Sequence, residues 1–355
     1  MSRIMFKRYS LLWEGKMSLD ALKKIYKNKY FRAIVNVALA FLIAFSLLLC
    51  LRLVLGVEYP LLVVSSGSMM PTLNIGDLII AQSIDPSQIN ADKLTGDILV
   101  FRDPRNLNEL IVHRAVRIYK GEDNHYLIVT SGDATRITSD QFSPWDSSLL
   151  VGKVIMRIPY IGNITLFFYS EKNLSTIILF VTILVLIALI VFTELSQEET
   201  SSKIEKKKTQ KSKLYIIYVI TINVLIITFM IFSLWGSLAF WQPGASSSDK
   251  VMILGMYRDL QFHKMSYERM YGKEVKAHLS LGFMTYRIDC QLDEGVRLGV
   301  PTFSWFQFSL LLLILFDGWE IFDLFYPYLK GSKFLQKRNL NKLIKLLKTQ
   351  LDFHR

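Results

Sequence analysis

Long apolar runs, each about the length of a membrane crossing, alternate along this chain with polar stretches. The first extends from Ala33 to Leu51 without a charged side chain and continues beyond Arg52 to residue 57. Two further uncharged runs cover residues 174–193 and 214–241. Because a helix needs about 20 apolar residues to cross the hydrocarbon core of a bilayer, the pattern predicts transmembrane helices at 33–57, 174–193 and 214–241.

A fourth apolar run, at 301–329, contains Asp317, Glu320 and Asp323 in its second half. The strongly basic segment after it is typical of the cytoplasmic flank of a membrane span, so we predict a fourth transmembrane helix here. Acidic side chains near a helix end are expected in the membrane interface, whereas buried ones would indicate a functional site. We favour the interface for these three residues.

Residues 58–165 show a shorter pattern, in which apolar runs of a few residues are separated by Gly, Asp, Asn and Pro. Such runs are typical of strands joined by turns. They predict an extracytoplasmic all-β domain with these strands: Leu61–Val64, Leu78–Ala81, Ile98–Phe101, Ile111–Tyr119, Tyr126–Thr130 and Val154–Ile158.

Residues 242–300 are of mixed polarity, and we assign them mostly no structure and no known role beyond a hypothetical docking surface for a partner. The basic segment 1–32 is either a helix lying on the membrane or a solvated flank; both interpretations stay open. In the basic tail, 330–355, leucine and isoleucine recur at helical spacing, which predicts an amphipathic helix on the membrane surface.

The net charge of +12 lies mainly in the first segment, in the linker 194–213 and in the tail, each beside an apolar run. By the positive-inside tendency these parts are cytoplasmic, and residues 58–165 and 242–300 are outside. The charge therefore indicates anionic lipid rather than nucleic acid as the partner. Two cysteines, Cys50 in an apolar run and Cys290 in a polar region, predict no disulfide, and nothing in the pattern predicts a metal or cofactor.

One polar motif stands about ten residues beyond the first predicted span: Ser65-Ser66-Gly67-Ser68-Met69-Met70-Pro71-Thr72. A serine between glycine and a proline-limited turn can present its hydroxyl to a substrate carbonyl, although Ser-Gly-Ser alone is typical of any loop. Further motifs follow in order: Gly76-Asp77, Gly96-Asp97, His113-Arg114, Ser131-Gly132-Asp133 and Gly152-Lys153.

This series, over Val57 to Thr165, resembles the type I signal peptidases of the peptidase S26 family. Bacterial members carry Lys-Arg where this chain has His113-Arg114, so it resembles the archaeal and endoplasmic-reticulum subtype with a Ser-His-Asp site. The resemblance implies a partly barrel-like β domain. It covers about a third of the chain and implies nothing about residues beyond 193.

The resemblance implies Ser68 as nucleophile, His113 as general base, and the Ser68 N–H and the Ser66 hydroxyl as oxyanion donors. Members of this subtype have a second aspartate about six residues after the Gly-Asp pair, but here the seventh residue after Asp133 is the aspartate. Allowing one inserted residue, we assign Asp140 to the triad and Asp133 as a supporting carboxylate. The reverse assignment stays open.

The expected function is a membrane-bound serine endopeptidase that removes signal peptides from secretory preproteins after small residues, at Ala-x-Ala-like sites. Its site would face outward from a plasma membrane or into the endoplasmic reticulum, with a translocon or accessory subunits as open partners. Two alternatives remain. One is a membrane protein that binds leader peptides without cleaving them, and the other is a protease of the same superfamily dedicated to one surface or secreted client.

Overall fold

The computed structural model describes residues 29–121, 125–134, 139–168, 208–240 and 251–322. Three of its helices are long and apolar enough to cross a membrane: α1 (Lys29–Leu55), α3 (Lys208–Trp235) and α5, which begins at Trp305 and continues to Phe322. A short helix, α2 (Gly162–Phe168), lies between α1 and α3 in the chain. The predicted span 174–193 and the tail 330–355 lie outside the described residues, as does nearly all of the segment 1–32.

Two of the predicted spans have different boundaries in the structure. The apolar run 214–241 is not one helix, because α3 ends at Trp235 and Ser237–Phe240 forms a strand. Gly236 makes this turn, where a Cβ atom would lie 2.2 Å from the Phe232 ring. The last helix starts at Trp305, four residues later than predicted. The residue before it, Ser304, caps its N-terminus, because the Ser304 hydroxyl accepts a hydrogen bond from the Gln307 N–H at 3.3 Å.

Most of the strands form one 11-stranded sheet, and each of the six predicted strands is present. Two of them begin earlier than predicted. The strand predicted at Ile111–Tyr119 begins at Asn106, and the strand predicted at Val154–Ile158 begins at Leu150. The strands are β1 (Leu61–Val63), β2 (Leu78–Gln82), β3 (Ile98–Asp103), β4 (Asn106–Lys120), β5 (Tyr126–Ser131), β6 (Trp145–Asp146), β7 (Leu150–Ile158), β8 (Ser237–Phe240), β9 (Val251–Leu254), β10 (Lys276–Gly282), β11 (Thr285–Leu292), β12 (Gly295–Arg297) and β13 (Thr302–Phe303).

The segment that the sequence left unassigned contains a helix, α4 (Met256–Tyr271), and strands that join this sheet. The strand order is β10-β11-β13-β7-β3-β4-β5-β6, with β1 and β2 attached through β7 and a separate β8–β9 pair. The C-terminal strands join those of residues 58–165 through a parallel pairing of Thr302 on β13 with Arg157 on β7. Sequence periodicity could not show this junction, because β12 and β13 have only three and two residues.

Apolar side chains fill both parts of the sheet. One cluster contains Met69 and Leu73, which belong to the loop that carries Ser68, together with Ile79 of β2. A second packs α4 against β10 and β11, with Tyr267 1% exposed. The carboxylate Asp259 on α4 forms a buried ion pair with Arg157 on β7, so charged as well as apolar contacts join the C-terminal segment to the first domain.

Two of the acidic residues in the last apolar run contact α3. The Asn223 amide donates a hydrogen bond to Asp317 at 3.0 Å, and the Tyr215 hydroxyl donates one to Glu320. Polar side chains commonly join neighbouring helices in this way. These contacts account for two of the acidic residues as helix-to-helix partners; Asp323 lies outside the described residues.

Candidate active site

The Ser68 loop connects β1 to β2 and is closed at its base by backbone hydrogen bonds. The Val64 N–H donates to the Asp77 carbonyl and the Gly76 N–H donates to the Val64 carbonyl, both at 2.9 Å. The Asp77 carboxylate also accepts the Asn74 N–H at 2.7 Å. With Met69 buried below it, the loop holds Ser68 half-buried at the surface of the domain.

His113 lies on β4, paired with Leu99 of β3, and its ring reaches two of the predicted site residues. Its Nε2 is 3.0 Å from the Ser68 Oγ, and its Nδ1 is 2.7 Å from the Asp140 Oδ2. With the proton on Nδ1, the ring donates to Asp140 and accepts the hydroxyl proton of Ser68. Phe142 stacks beside the ring, with the centroids 6.5 Å apart.

Asp140 is held by a chain of hydrogen bonds from β5. Its N–H donates to the Thr130 carbonyl and its Oδ2 accepts the Thr130 hydroxyl, each at 2.8 Å. The Trp145 indole N–H in turn donates to the Thr130 hydroxyl oxygen at 3.1 Å. These bonds fix the carboxylate, and its side chain is 12% exposed.

Asp133 has a different environment, since it is fully buried and both of its carboxylate oxygens are engaged. Arg114 donates two hydrogen bonds at 2.9 and 2.7 Å, Arg297 of β12 donates one at 2.7 Å, and the Thr72 hydroxyl donates one at 2.5 Å. Burial alone would raise its pKa, but the charges of the two arginines lower the pKa of Asp133 far below the usual range. Asp133 thus connects the Ser68 loop, strand β4 and the C-terminal segment, while Asp140 is the carboxylate at His113.

The remaining predicted donor, Ser66, lies beside Ser68, with 3.4 Å between the two hydroxyl oxygens. Gly132 passes directly behind the pair. A Cβ atom there would lie 2.7 Å from the Ser68 carbonyl oxygen and 3.2 Å from the His113 Nε2. The neighbouring Ala134 N–H donates to the same Ser68 carbonyl at 2.9 Å, so the space behind Ser68 accepts only glycine.

A cleft of about 270 Å³ opens over Ser68 and His113. Residues 63–66 line one side and residues 110–113 the other, with Arg105 and Phe142 at the rim. A second cavity of about 320 Å³ lies behind Gly132, between Arg114, Lys273 and Arg297, and contains neither Ser68 nor His113. Of these two cavities, only the cleft reaches the Ser68 and His113 side chains.

Sequence reasoning missed three residues that shape the site: Thr130 behind Asp140, Phe142 against His113, and Arg297 against Asp133. None carries a local signal, because each acts through a contact distant in sequence or across a turn. Within the described ranges, no group of three or more His, Cys, Asp or Glu side chains is placed to hold a metal ion.

A serine hydroxyl, an imidazole and a carboxylate in hydrogen-bonded order, on a mostly β domain, are the arrangement of a serine hydrolase. The family model described as signal peptidase, peptidase S26, matches residues 34–120. The chain is similar to the signal peptidase complex catalytic subunit SEC11 of Colletotrichum graminicola, at 30% identity over 151 residues, which are 41% of this chain and 85% of that protein.

Two further relatives give the same result. The signal peptidase complex catalytic subunit sec11 of Dictyostelium discoideum is 29% identical over 170 residues, 46% of this chain and 90% of that protein. The human signal peptidase complex catalytic subunit SEC11C is 28% identical over 151 residues, 41% of this chain and 76% of that protein. The chain belongs to the signal peptidase family, peptidase S26, and to its archaeal and endoplasmic-reticulum type.

Proposed function

We propose that this protein is a membrane-bound serine endopeptidase that removes signal peptides from secretory preproteins. The observation that carries the proposal is the hydrogen-bonded line from Asp140 through His113 to Ser68, at 2.7 and 3.0 Å. Membership of a family of serine peptidases supports the same activity.

In this proposal Ser68 is the nucleophile. Its Oγ attacks the carbonyl carbon of the scissile peptide bond while its proton passes to the His113 Nε2. Asp140 holds the ring in the correct tautomer and stabilises the imidazolium. The oxyanion accepts hydrogen bonds from the Ser68 N–H and from the Ser66 hydroxyl, and removal of one such donor typically lowers kcat by about 10² to 10³.

The second half of the reaction uses the same groups. The imidazolium of His113 gives its proton to the leaving amine, and the peptide bond breaks to leave an acyl ester on Ser68. His113 then accepts a proton from water, whose oxygen attacks the ester carbonyl. The ester bond breaks, the imidazolium returns its proton to the Ser68 Oγ, and the leader leaves with a free carboxyl end.

The cleft supports cleavage after small residues, at Ala-x-Ala-like sites. Its volume of about 270 Å³ lies below the range of about 300 to 1,000 Å³ for typical small-molecule pockets. An extended leader lying between residues 63–66 and 110–112 would place alternate side chains toward its floor. Met69 lines this cleft, and its large side chain would favour small residues in the leader.

We further propose the following arrangement: cytoplasmic segments at 1–32, 194–207 and 330–355; spans at 33–57 and 174–193, within α3 up to Trp235, and along α5 from Trp305; and outer segments at 58–165 and between α3 and α5. The continuous sheet from β7 into β13 and β11 supports placing both outer segments on one side of the membrane. The first of these is the partly barrel-like catalytic domain. The active site then faces leaders as they emerge, from a plasma membrane or into the endoplasmic reticulum.

The relatives are named as catalytic subunits of a signal peptidase complex. We therefore propose that accessory subunits or a translocon also assist this chain. Co-purification from its own membrane, followed by identification of the bound chains, tests this part separately from the chemistry.

The function is tested by cleavage of a model preprotein in liposomes by the purified wild type, by Ser68→Ala and by Ser280→Ala. Ser280 is an exposed serine on β10 and serves as the matched control. We expect mature product from the wild type and from Ser280→Ala, but not from Ser68→Ala. Equal cleavage by all three chains would show that Ser68 is not the nucleophile, and the proposal would fail.

A further inference from the structure

The hairpin of β10 and β11 ends in an apolar tip, defined here as residues 281–284. Gly282 pairs with Thr285, so Phe283 and Met284 form the turn. The Phe283 side chain is 90% exposed and that of Leu281 is 62% exposed. Both side chains therefore leave apolar surface in contact with water, and burial of that surface against an apolar partner would be favourable.

The turn itself does not require these side chains. Met284 has φ of 56°, in the left-handed region. Two-residue hairpin turns favour Gly, Asn or Asp at such positions, because larger L-residues are strained there. The chain instead has a phenylalanine and a methionine, so an interaction outside the hairpin is the better explanation for them.

The alternation of β10 leads to the same conclusion. Successive side chains of a strand point to opposite faces, and Ala277 and Leu279 face the core beneath α4. Leu281 continues their face past the edge of that core, where it is exposed. The apolar face of the strand thus extends beyond the protein interior.

The tip is fixed beside the start of α5. The Gln307 side-chain amide donates a hydrogen bond to the Gly282 carbonyl at 3.0 Å, and the Ser304 N–H donates to the Met284 carbonyl at 2.9 Å. Gln307 is the third residue of the helix, so the tip is level with its first turn, which rises about 5 Å.

Aromatic side chains surround this end of α5. Trp305 packs edge-on against Phe303 and Phe308, at centroid distances of 4.9 and 6.0 Å, and its indole N–H donates to the Pro159 carbonyl. Tryptophan and other aromatic residues concentrate where a span crosses from headgroups to hydrocarbon. The first turn of α5 is therefore the expected depth of the outer membrane interface.

We propose that the tip at residues 281–284 inserts into the outer interface of the lipid bilayer beside α5, with Phe283 directed to the acyl chains. The inference rests on the membrane placement of α5 in the proposed function, but not on peptidase activity. The tip would attach the C-terminal end of the sheet to the membrane and so limit tilting of the cleft relative to the bilayer.

The test uses the full chain in phosphatidylcholine vesicles, with a single environment-sensitive fluorophore on a cysteine at Phe283, Val296 or Leu312. Cys50 is replaced by alanine, while Cys290, which is 1% exposed, remains, and the chain without an added cysteine measures background labelling. Val296 is the matched control, because it pairs with Gln291 near the opposite end of β11, about 20 Å from the tip. Leu312 lies within α5 and reports whether that helix is in lipid.

For Phe283→Cys we expect blue-shifted emission and quenching by lipids that carry a nitroxide high on the acyl chain. Leu312→Cys should be quenched by nitroxides, while Val296→Cys should keep water-like emission. If Leu312 is quenched and Phe283 is not, the tip proposal is overturned while the membrane placement stands, and a protein partner becomes the candidate for the tip. If neither is quenched, the membrane placement of α5 fails and the tip proposal fails with it. Quenching at Val296 as strong as at Phe283 would indicate adsorption of the whole domain and also overturn the proposal.

Discussion

At the scale of single residues, Asp133 and Asp140 lie seven positions apart but have opposite surroundings. Asp140 accepts from His113 and keeps some contact with solvent, whereas Asp133 is enclosed by Arg114 and Arg297. A carboxylate already paired with two guanidinium groups has little charge left to stabilise an imidazolium. This is the physical reason for giving the orienting role to Asp140 in the proposed mechanism.

Asp140→Asn is expected to lower kcat by about 10⁴, because an amide cannot stabilise the imidazolium or hold the correct tautomer. The variant can keep its backbone hydrogen bond to Thr130, so its melting temperature should stay close to that of the wild type. Steady-state cleavage and thermal unfolding in detergent measure the two effects.

Asp133→Asn is the contrasting variant, since it leaves two buried arginines without their counter-charge. Loss of one partner from a buried ion pair typically lowers the free energy of unfolding by about 3 to 5 kcal/mol. A stable but inactive Asp133→Asn, together with an active Asp140→Asn, would reverse the assignment.

The buried carboxyl group of Asp77 should make the stability of the protein depend on pH. Burial raises the pKa of Asp77 to about 6, although the charge of Arg157, 3.4 Å away, lowers it. Because the folded pKa lies above the unfolded value of 3.8, the folded state holds the proton more tightly. This contribution is fully present below pH 3.8 and is lost as pH rises through about 6.

Between pH 4 and pH 6 the wild type should therefore lose on the order of 3 kcal/mol from this group. Asp77→Asn should remove that slope, which denaturant unfolding at a series of pH values would measure. An identical slope in both chains would mean that Asp77 titrates normally. Asp133 and Asp259 have lowered pKa values, so their contributions change below this window and do not mask it.

At the scale of elements, the C-terminal segment supports the site from behind. Arg297 on β12 contacts Asp133, and the Tyr267 hydroxyl on α4 lies 3.1 Å from the Thr72 hydroxyl, which itself donates to Asp133. Thr72 belongs to the same loop as Ser68. Movement of α4 or β12 would therefore shift the loop that carries Ser68, the proposed nucleophile, through these buried contacts.

Arg297→Ala is expected to destabilise the protein by about 3 kcal/mol or more, because it removes one of the two charges that balance buried Asp133. Arg297→Lys should restore part of this loss. Arg287→Ala is the matched control, since Arg287 pairs with Asp289 at a partly exposed position and should change stability by less than about 1 kcal/mol. Equal unfolding midpoints for Arg297→Ala and Arg287→Ala would show that the contact with Asp133 adds no stability.

At the scale of the whole molecule, the chain forms one sheet from two segments separated by a pair of predicted spans. Strand β13 pairs with β7, and the buried pair Arg157–Asp259 joins the same two segments. The family model ends at residue 120, within the first segment. Ser68 and His113 therefore lie in the part that the family model matches, whereas Asp133, Asp140 and the supporting Arg297 lie beyond it.

A chain that stops at residue 207 keeps Ser68, His113 and Asp140 but loses Asp259, which pairs with Arg157, and β13, which pairs with β7. We expect this chain to be less stable, to expose more of β7 to limited proteolysis, and to cleave preprotein more slowly than the full chain. Co-expression of residues 208–355 as a separate chain should restore activity in part. Full activity and stability of the shortened chain by itself would contradict the support role.

Local patterns in the sequence determined the six strands of the first segment and three of the four predicted apolar helices, because strand alternation and span length are readable along the chain. The pairing of Ser68 with His113 came from the resemblance to signal peptidases. Only the tertiary structure decided between Asp133 and Asp140 as the partner of His113, joined β13 to β7, and brought Arg297 to Asp133. Only the structure also showed that α3 ends at Trp235, because the apolar run continues from there into the strand Ser237–Phe240. In each case the deciding interaction joins residues that are distant in sequence or depends on pairing, and neither periodicity nor spacing reports such contacts.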